Sequence, residues 1–326
     1  MKYKKSEAKE YARENFVGVW AASLTPFDDQ LKLDEKALRE NLSHWVNELN
    51  LGGLFIAGKQ AEFFSMSIAE RKRLMDLSVE VAHAAGNRGG IGHCGIVTSC
   101  SDTNLDVVLD LAKHSQNIGA DYVIVHSPVL HFGADTDETI YEYYRYLSEK
   151  IDIGLAMWNH PDCGYVMSPE LCARIAELPN VVAIKYSTDR EKYKRLTEMV
   201  GDKIHVSNPD EPDWLENIIE LGWKLYLCST PPYLLQSKVD QRMNEYTQLA
   251  FAGKYDEARK VRDSLNPVRE AIRSTKPKGK RQAHAKYWQD LLGQHGGPVR
   301  RPLLQLTDAE RAATKKAFEQ CGLRVA

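Results

Sequence analysis

The sequence has no stretch of about 18 uninterrupted apolar residues, so no transmembrane helix is expected. It also has no C-x-x-C pair. Its six cysteines, at 94, 100, 163, 172, 228 and 321, are scattered through apolar runs, which suits reduced core thiols in a cytoplasm better than a disulfide framework or a zinc site. Neither sign of charge dominates: 43 Lys+Arg stand against 45 Asp+Glu, a formal charge of -2, so no global field favours nucleic acid or a membrane surface. The first 16 residues carry basic side chains but no apolar segment, so no secretory signal is expected, and a cytoplasmic location is. Tandem repeats and low-complexity tracts are missing too. What is present is ordinary globular composition, 27% charged and 43% hydrophobic, over 326 residues. That length exceeds the usual single core of about 100 to 200 residues and fits either two domains or one large barrel with an appendage.

From Val17 to Ser229 short apolar runs alternate with longer segments of helical period. The runs are 17–23, 53–58, 90–97, 121–126, 153–158, 181–186, 204–207 and 224–229. Helical patterns fall near 34–49, 104–117, 137–150 and 170–178, and Ser67 with Glu70 reads as a capping box. The middle runs lack polar alternation, as parallel strands buried on both faces do. Eight such runs predict a (β/α)8 barrel; a doubly wound sheet would show a glycine-rich first turn, and none follows the first run. Beyond Pro232 only helical patterns remain, at 239–251, 255–272, 283–292 and 308–321, so the division expected is an N-terminal extension 1–16, a barrel 17–235 and a helical domain 236–326. The basic run K-P-K-G-K-R at 276–281 reads as a solvated loop rather than a polyanion site.

In a parallel barrel, reactive groups lie at the carboxyl ends of the strands. There the sequence offers Lys59, Gln60 and Glu62 after strand two, His93 at strand three, His126 and Ser127 after strand four, and Trp158, Asn159 and His160 after strand five. Lys185 and Tyr186 end strand six, Ser207 and Asn208 strand seven, and Ser229 and Thr230 strand eight. Lys185 directly follows Asn180-Val181-Val182-Ala183-Ile184, with no polar break to let its stem reach water. Desolvation lowers a buried lysine's pKa and leaves free amine able to attack a carbonyl. A lysine that snorkels or pairs with a carboxylate such as Glu62 fits the same pattern.

The string S-P-E-L-C-A-R-I-A-E-L-P-N-V-V-A-I-K-Y-S, from Ser168 to Ser187, resembles the signature of the dihydrodipicolinate synthase and N-acetylneuraminate lyase family of class I aldolases. G-V-W-A-A-S-L-T-P-F-D-D, G-G-L-F-I-A-G-K-Q-A-E-F-F-S-M-S-I-A-E-R, W-N-H-P-D-C-G and G-G-P-V-R-R-P-L-L-Q-L follow the family's order, over residues 15 to 325. The resemblance implies a (β/α)8 barrel with a C-terminal helical extension, no cofactor, a homotetramer or homodimer, and a Schiff base between Lys185 and pyruvate or another 2-keto acid. Departures are specific. The loop that commonly reads G-T-T-G-E or G-S-T-G-E, and grips the keto-acid carboxylate, is Gly58-Lys59-Gln60-Ala61-Glu62, so Lys59 and Gln60 become the candidate carboxylate binders. Trp158 stands where a relay tyrosine is common, the T-P-Y-Y stretch reads Ser127-Pro128-Val129-Leu130-His131, and the arginine after strand five has become Asp162 or Cys163. Dihydrodipicolinate synthase activity is therefore not expected.

The expected enzyme is a class I lyase, an aldolase or hydratase-aldolase acting on a keto acid and an aldehyde, with dehydration of a deoxy-sugar keto acid as the alternative. Lys185, His160 and His131 are the catalytic candidates; Lys59, Gln60, Trp158, Asn159, Tyr186 and Ser207 the binding ones. Tyr186 and His126 are further proton carriers, and an aromatic wall of Trp158, Phe132 and Phe63 favours a flat acceptor. Two rivals differ in kind: a metal-dependent barrel hydrolase using His93, His126, His160 and His205, and a binding protein that has kept the barrel and lost turnover.

Overall fold

The structure, a computed structural model, describes residues 2–85, 94–129, 137–229 and 232–325. Every apolar run read from the sequence overlaps a strand: β1 Gly18–Ala22, β2 Gly53–Ile56, β3 Gly95–Ser99, β4 Tyr122–His126, β5 Gly154–Asn159, β6 Val181–Tyr186, β7 His205–Ser207 and β8 Leu225–Leu227. All neighbours pair in parallel, in the order β7-β6-β5-β4-β3-β2-β1-β8. Side bonds draw the β7–β8 seam together: Leu227 N–H donates to Ser207 Oγ at 2.9 Å, and Ser229 N–H to Pro209 O at 3.0 Å. The fold is the expected (β/α)8 barrel with C-terminal helices. Around the strands run α2 Glu35–Glu48, α3 Ile68–Ala84, α4 Leu105–Ile118, α5 Asp137–Lys150, α6 Pro169–Ala176, α7 Arg190–Val200 and α8 Glu211–Leu221. Ser67 and Glu70 form the capping box at the start of α3.

Close packing fixes some residue choices outright. Gly53 begins β2 where any Cβ would lie 2.4 Å from the buried Trp20 ring, so only glycine fits there. In β6, Val182 is bulged out of register with β5, and the pairing resumes at Ala156↔Ala183. From that point Trp158, Lys185 and Ser207 lie in one row across β5, β6 and β7.

Two expectations need correction. The third strand starts at Gly95, so its carboxyl end is Ser99-Cys100-Ser101; His93 precedes the strand and lies outside the described residues. The helix expected over 255–272 is two helices, α10 Tyr255–Asp263 and α11 Asn266–Thr275. Pro267 sits in the first turn of α11, where its ring and missing N–H are tolerated, as they would not be inside one continuous helix.

The N-terminal segment forms α1, Ala8–Asn15, under the barrel, where Tyr3, Tyr11 and Phe16 pack on Tyr122. At the other end of the chain α9 Arg242–Phe251, α10, α11, α12 Arg281–Leu291 and α13 Asp308–Gln320 follow the last strand. The start of α12 reaches the strand-two loop: Gln282 Nε2 lies 3.5 Å from Lys59 O. No helix among the described residues is long and apolar enough to cross a membrane.

Candidate active site

Lys185 is 1% exposed and projects from β6 into the barrel's carboxyl mouth. Its ammonium donates to Cys228 O at 2.6 Å and lies 4.9 Å from the Phe55 ring and 5.1 Å from Trp158. Among the described residues it makes no ion pair. Burial therefore pulls its pKa down to about 7, and the cations Arg281 and Lys59 act in the same direction. A cavity of about 690 Å³ opens above it, lined by Lys59, Gln60, Trp158, His160, Ser187 and Asp210 together with Lys276 and Arg281 from the C-terminal segment.

Trp158 covers the amine from β5. It is 2% exposed, and its buried indole N–H has no acceptor among the described residues, which leaves a donor unspent. The ring stands edge-on to Phe55, 5.3 Å between centroids, and is the one aromatic side chain lining the cavity among the described residues. The expected aromatic wall is thus reduced. Phe63 packs under the Arg71 guanidinium, and Phe132 lies outside the described residues.

Lys59 and Asp162 form an ion pair across the mouth. Lys59 stands on the loop that departs from the pattern the sequence resembles, and Asp162 is one of the two residues, with Cys163, at the place of the arginine after strand five; the two loops meet through this pair. Burial and then Arg281 lower the Lys59 pKa. Gln60 directs Nε2 to Ser229 O at 2.6 Å and leaves Oε1 buried without a donor among the described residues. Among the described residues the backbone N–H groups of Lys59 and Gln60 have no acceptor. Ala57 and Glu62, with φ of 59° and 62°, hold the two ends of this loop in left-handed backbone, which only firm surroundings maintain in non-glycine residues. Glu62 supplies them. Fully buried, it meets Lys286 Nζ of α12 at 2.6 Å and accepts Arg300 N–H at 2.8 Å.

His160 lines the cavity, with Nδ1 3.1 Å from both the backbone N–H and the carboxylate Oδ1 of Asp162. Burial, then Lys59, pushes its pKa down to about 4, which makes it a neutral donor rather than a base near pH 7. Other expected residues sit elsewhere. Tyr186 follows the inward Lys185 and by strand alternation points outward, its hydroxyl on Met167 O at 2.5 Å, so it is no part of the cavity. Asn159 is fully buried and holds Met167 N–H and Tyr165 O at 3.2 Å, tying β5 to the following loop. Ser207 Oγ is engaged in the β7–β8 seam. His131 lies outside the described residues. His205 opens β7 at the opposite end of the barrel, with Nε2 on Ala12 O at 3.0 Å, so it cannot join His126 and His160 at the mouth. Among the described residues no three His, Cys, Asp or Glu side chains gather as a metal-ion set.

Ser187, Asp210, Lys276 and Arg281 line the cavity and escaped the sequence reading. Ser187 and Asp210 were available to it, because both closely follow strand ends.

An eight-stranded parallel barrel with its cavity at the strands' carboxyl ends is the frame of a barrel enzyme. Which enzymes follows from comparison: the model of the dihydrodipicolinate synthetase family matches residues 15–321, and the chain belongs to that family, whose members are lyases. The 4-hydroxy-tetrahydrodipicolinate synthase of Methanothrix thermoacetophila is 25% identical over 301 residues, 91% of this chain and 94% of that protein. Among solved structures, dihydrodipicolinate synthase from Aquifex aeolicus superposes with a TM-score of 0.81 at 18% identity, covering 95% of this chain and 99% of the other. A prophage protein of the same family from E. coli K12, in complex with pyruvate, gives 0.80 at 18% identity over 95% and 99%.

Proposed function

We propose that the protein is a Schiff-base lyase acting on pyruvate or a pyruvate-derived 2-keto acid. The observation that carries the reading is Lys185: a buried amine with a pKa near neutrality, opening on a cavity large enough for a small substrate. Its free form adds to the C2 carbonyl, water leaves, and the protonated imine accepts electrons when the bond beyond C3 breaks or a C3 proton departs. Resolution of the imine by water returns the amine. The pyruvate complex of a fold neighbour supports the choice of keto acid. The free N–H groups of Lys59 and Gln60 suit the carboxylate, while Lys59 itself is neutralised by Asp162. Trp158 Nε1–H and the His160 ring N–H are the donors proposed for the acceptor half; in this scheme His131 keeps its place as a proton-carrier candidate.

The cavity's charged lining favours a polar acceptor over the flat aromatic one, and so brings forward cleavage or dehydration of a hydroxylated keto acid as the second reading. Both share one early event, the enamine. In deuterium oxide the wild-type enzyme is therefore expected to exchange the methyl protons of pyruvate, followed by NMR, at a rate that rises with pH up to about 7 and then levels. The sign follows from the amine, which must lose its proton before it attacks. A limb near the ordinary lysine value of 10.5, or no exchange at all, contradicts the proposal.

A further inference from the structure

The basic run at 276–281 does not behave as a solvated loop throughout. Pro277, Lys278 and Gly279 make a turn in which Gly279 has φ 75°, and the chain reverses so that the two ends of the run, Lys276 and Arg281, both line the cavity above Lys185. The intervening Lys280 turns away to Glu310, at 2.7 Å. The placement is selective.

Lys276 and Arg281 are exposed toward the mouth, and among the described residues neither makes an ion pair. Among the described residues Arg281 makes one hydrogen bond, from Nη2 to Ser229 O at 3.3 Å, and its remaining N–H groups stay available. The carboxylate that lines the same cavity is Asp210, while Asp162 is already taken by Lys59. A keto acid bound at Lys185 brings one negative charge, which the strand-two loop can hold. That leaves two neighbouring cations from the C-terminal segment facing the substrate, with Asp210 the one carboxylate lining the cavity among the described residues. Burial, and then the like charge of Arg281, lowers the pKa of Lys276.

We infer that Arg281 and Lys276 form an anion subsite, and that the natural substrate is a 2-keto acid with a second anionic group, carboxylate or phosphate, at the end remote from the ketone. The planar fork of Arg281 matches either oxyanion group, and Lys276 adds a point charge. The inference rests on the keto-acid reading above.

A matched pair of ligands separates the two. On the full-length protein, calorimetry compares 2-oxoglutarate with 2-oxopentanoate, which has the same chain but ends in a methyl group, and a phosphonate-ended analogue serves as the third probe. Wild type is expected to bind the doubly charged acids at least about tenfold more tightly, a preference that shrinks with added salt. In Arg281→Gln the ratio falls toward unity, in Lys276→Gln it falls part-way, and in Arg281→Lys it is partly restored. Whichever of carboxylate or phosphonate binds more tightly identifies the terminal group. Equal affinities in wild type, or a preference that Arg281→Gln retains, overturns the subsite. Borohydride trapping of 2-oxopentanoate at Lys185 reports separately: its absence defeats the Schiff-base reading, while the affinity ratio still decides the subsite.

Discussion

Replacing Lys185 by methionine is expected to remove turnover by about 10⁴-fold or more and at the same time to raise the melting temperature at pH 8. The two effects have one cause. The amine is held where its charge is unwelcome, with a folded pKa of about 7 against an ordinary value of 10.5. Between those values the unfolded chain binds a proton that the folded protein refuses, so wild-type stability rises with pH across that window, and the burden is largest at and below pH 7. A methionine of similar length packs against Phe55 and Trp158 without that burden. The gain, a few kcal/mol less the unfilled bond to Cys228 O, should fade as the pH approaches 10.5. Thermal denaturation of both proteins from pH 6 to pH 10 checks it. A variant that melts lower than wild type throughout contradicts the burial argument. Lys185→Arg is expected not to restore activity, because a guanidinium keeps its proton.

The second large effect lies in the Lys286–Glu62 pair. Both side chains are fully buried, and the ammonium also donates to Pro298 O at 2.7 Å and lies 4.4 Å from the Phe27 ring. Removing one partner strands the other charge in the interior, at a cost of about 3 to 5 kcal/mol. Lys286→Met should therefore lower the melting temperature by on the order of 10 °C. Removing both charges, in Glu62→Gln with Lys286→Met, should recover part of the loss. The consequence reaches the cavity as well, since Glu62 anchors the loop that carries Lys59 and Gln60 and itself occupies left-handed backbone. Lys286→Met is expected to raise KM for the keto acid more than it lowers kcat. Melting curves and steady-state kinetics read both. Equal stability of Lys286→Met and wild type rules the anchor out.

How much of this was legible in the sequence depends on how local the signal was. The strands were legible because a parallel strand covered on both faces must be apolar along its whole length, and the lysine at the end of 181–186 stood out against that rule. Tyr186 was misplaced although its signal was local: alternation puts it opposite Lys185. Lys59 was read as a carboxylate binder because its partner Asp162 stands 103 residues away, on a loop met only once the barrel closes. The same holds for Lys276 and Arg281. A basic run has no periodicity that distinguishes solvent from a cavity edge, and only the return of the C-terminal helices over the mouth decides it. Ser207 and Asn159 are polar for the fold's sake, closing a seam and fastening a loop, a need that polar residues at strand ends do not announce.

The proposed chemistry requires a covalent bond between residue 185 and a ketone. Incubation of the wild-type enzyme with pyruvate and sodium borohydride, followed by peptide mass spectrometry, looks for that bond directly. The predicted result is loss of activity together with one reduced pyruvate adduct on the peptide containing Lys185, absent when Lys185→Met is treated in the same way. Full activity and an unmodified peptide after treatment, or an adduct on a different lysine, would contradict it.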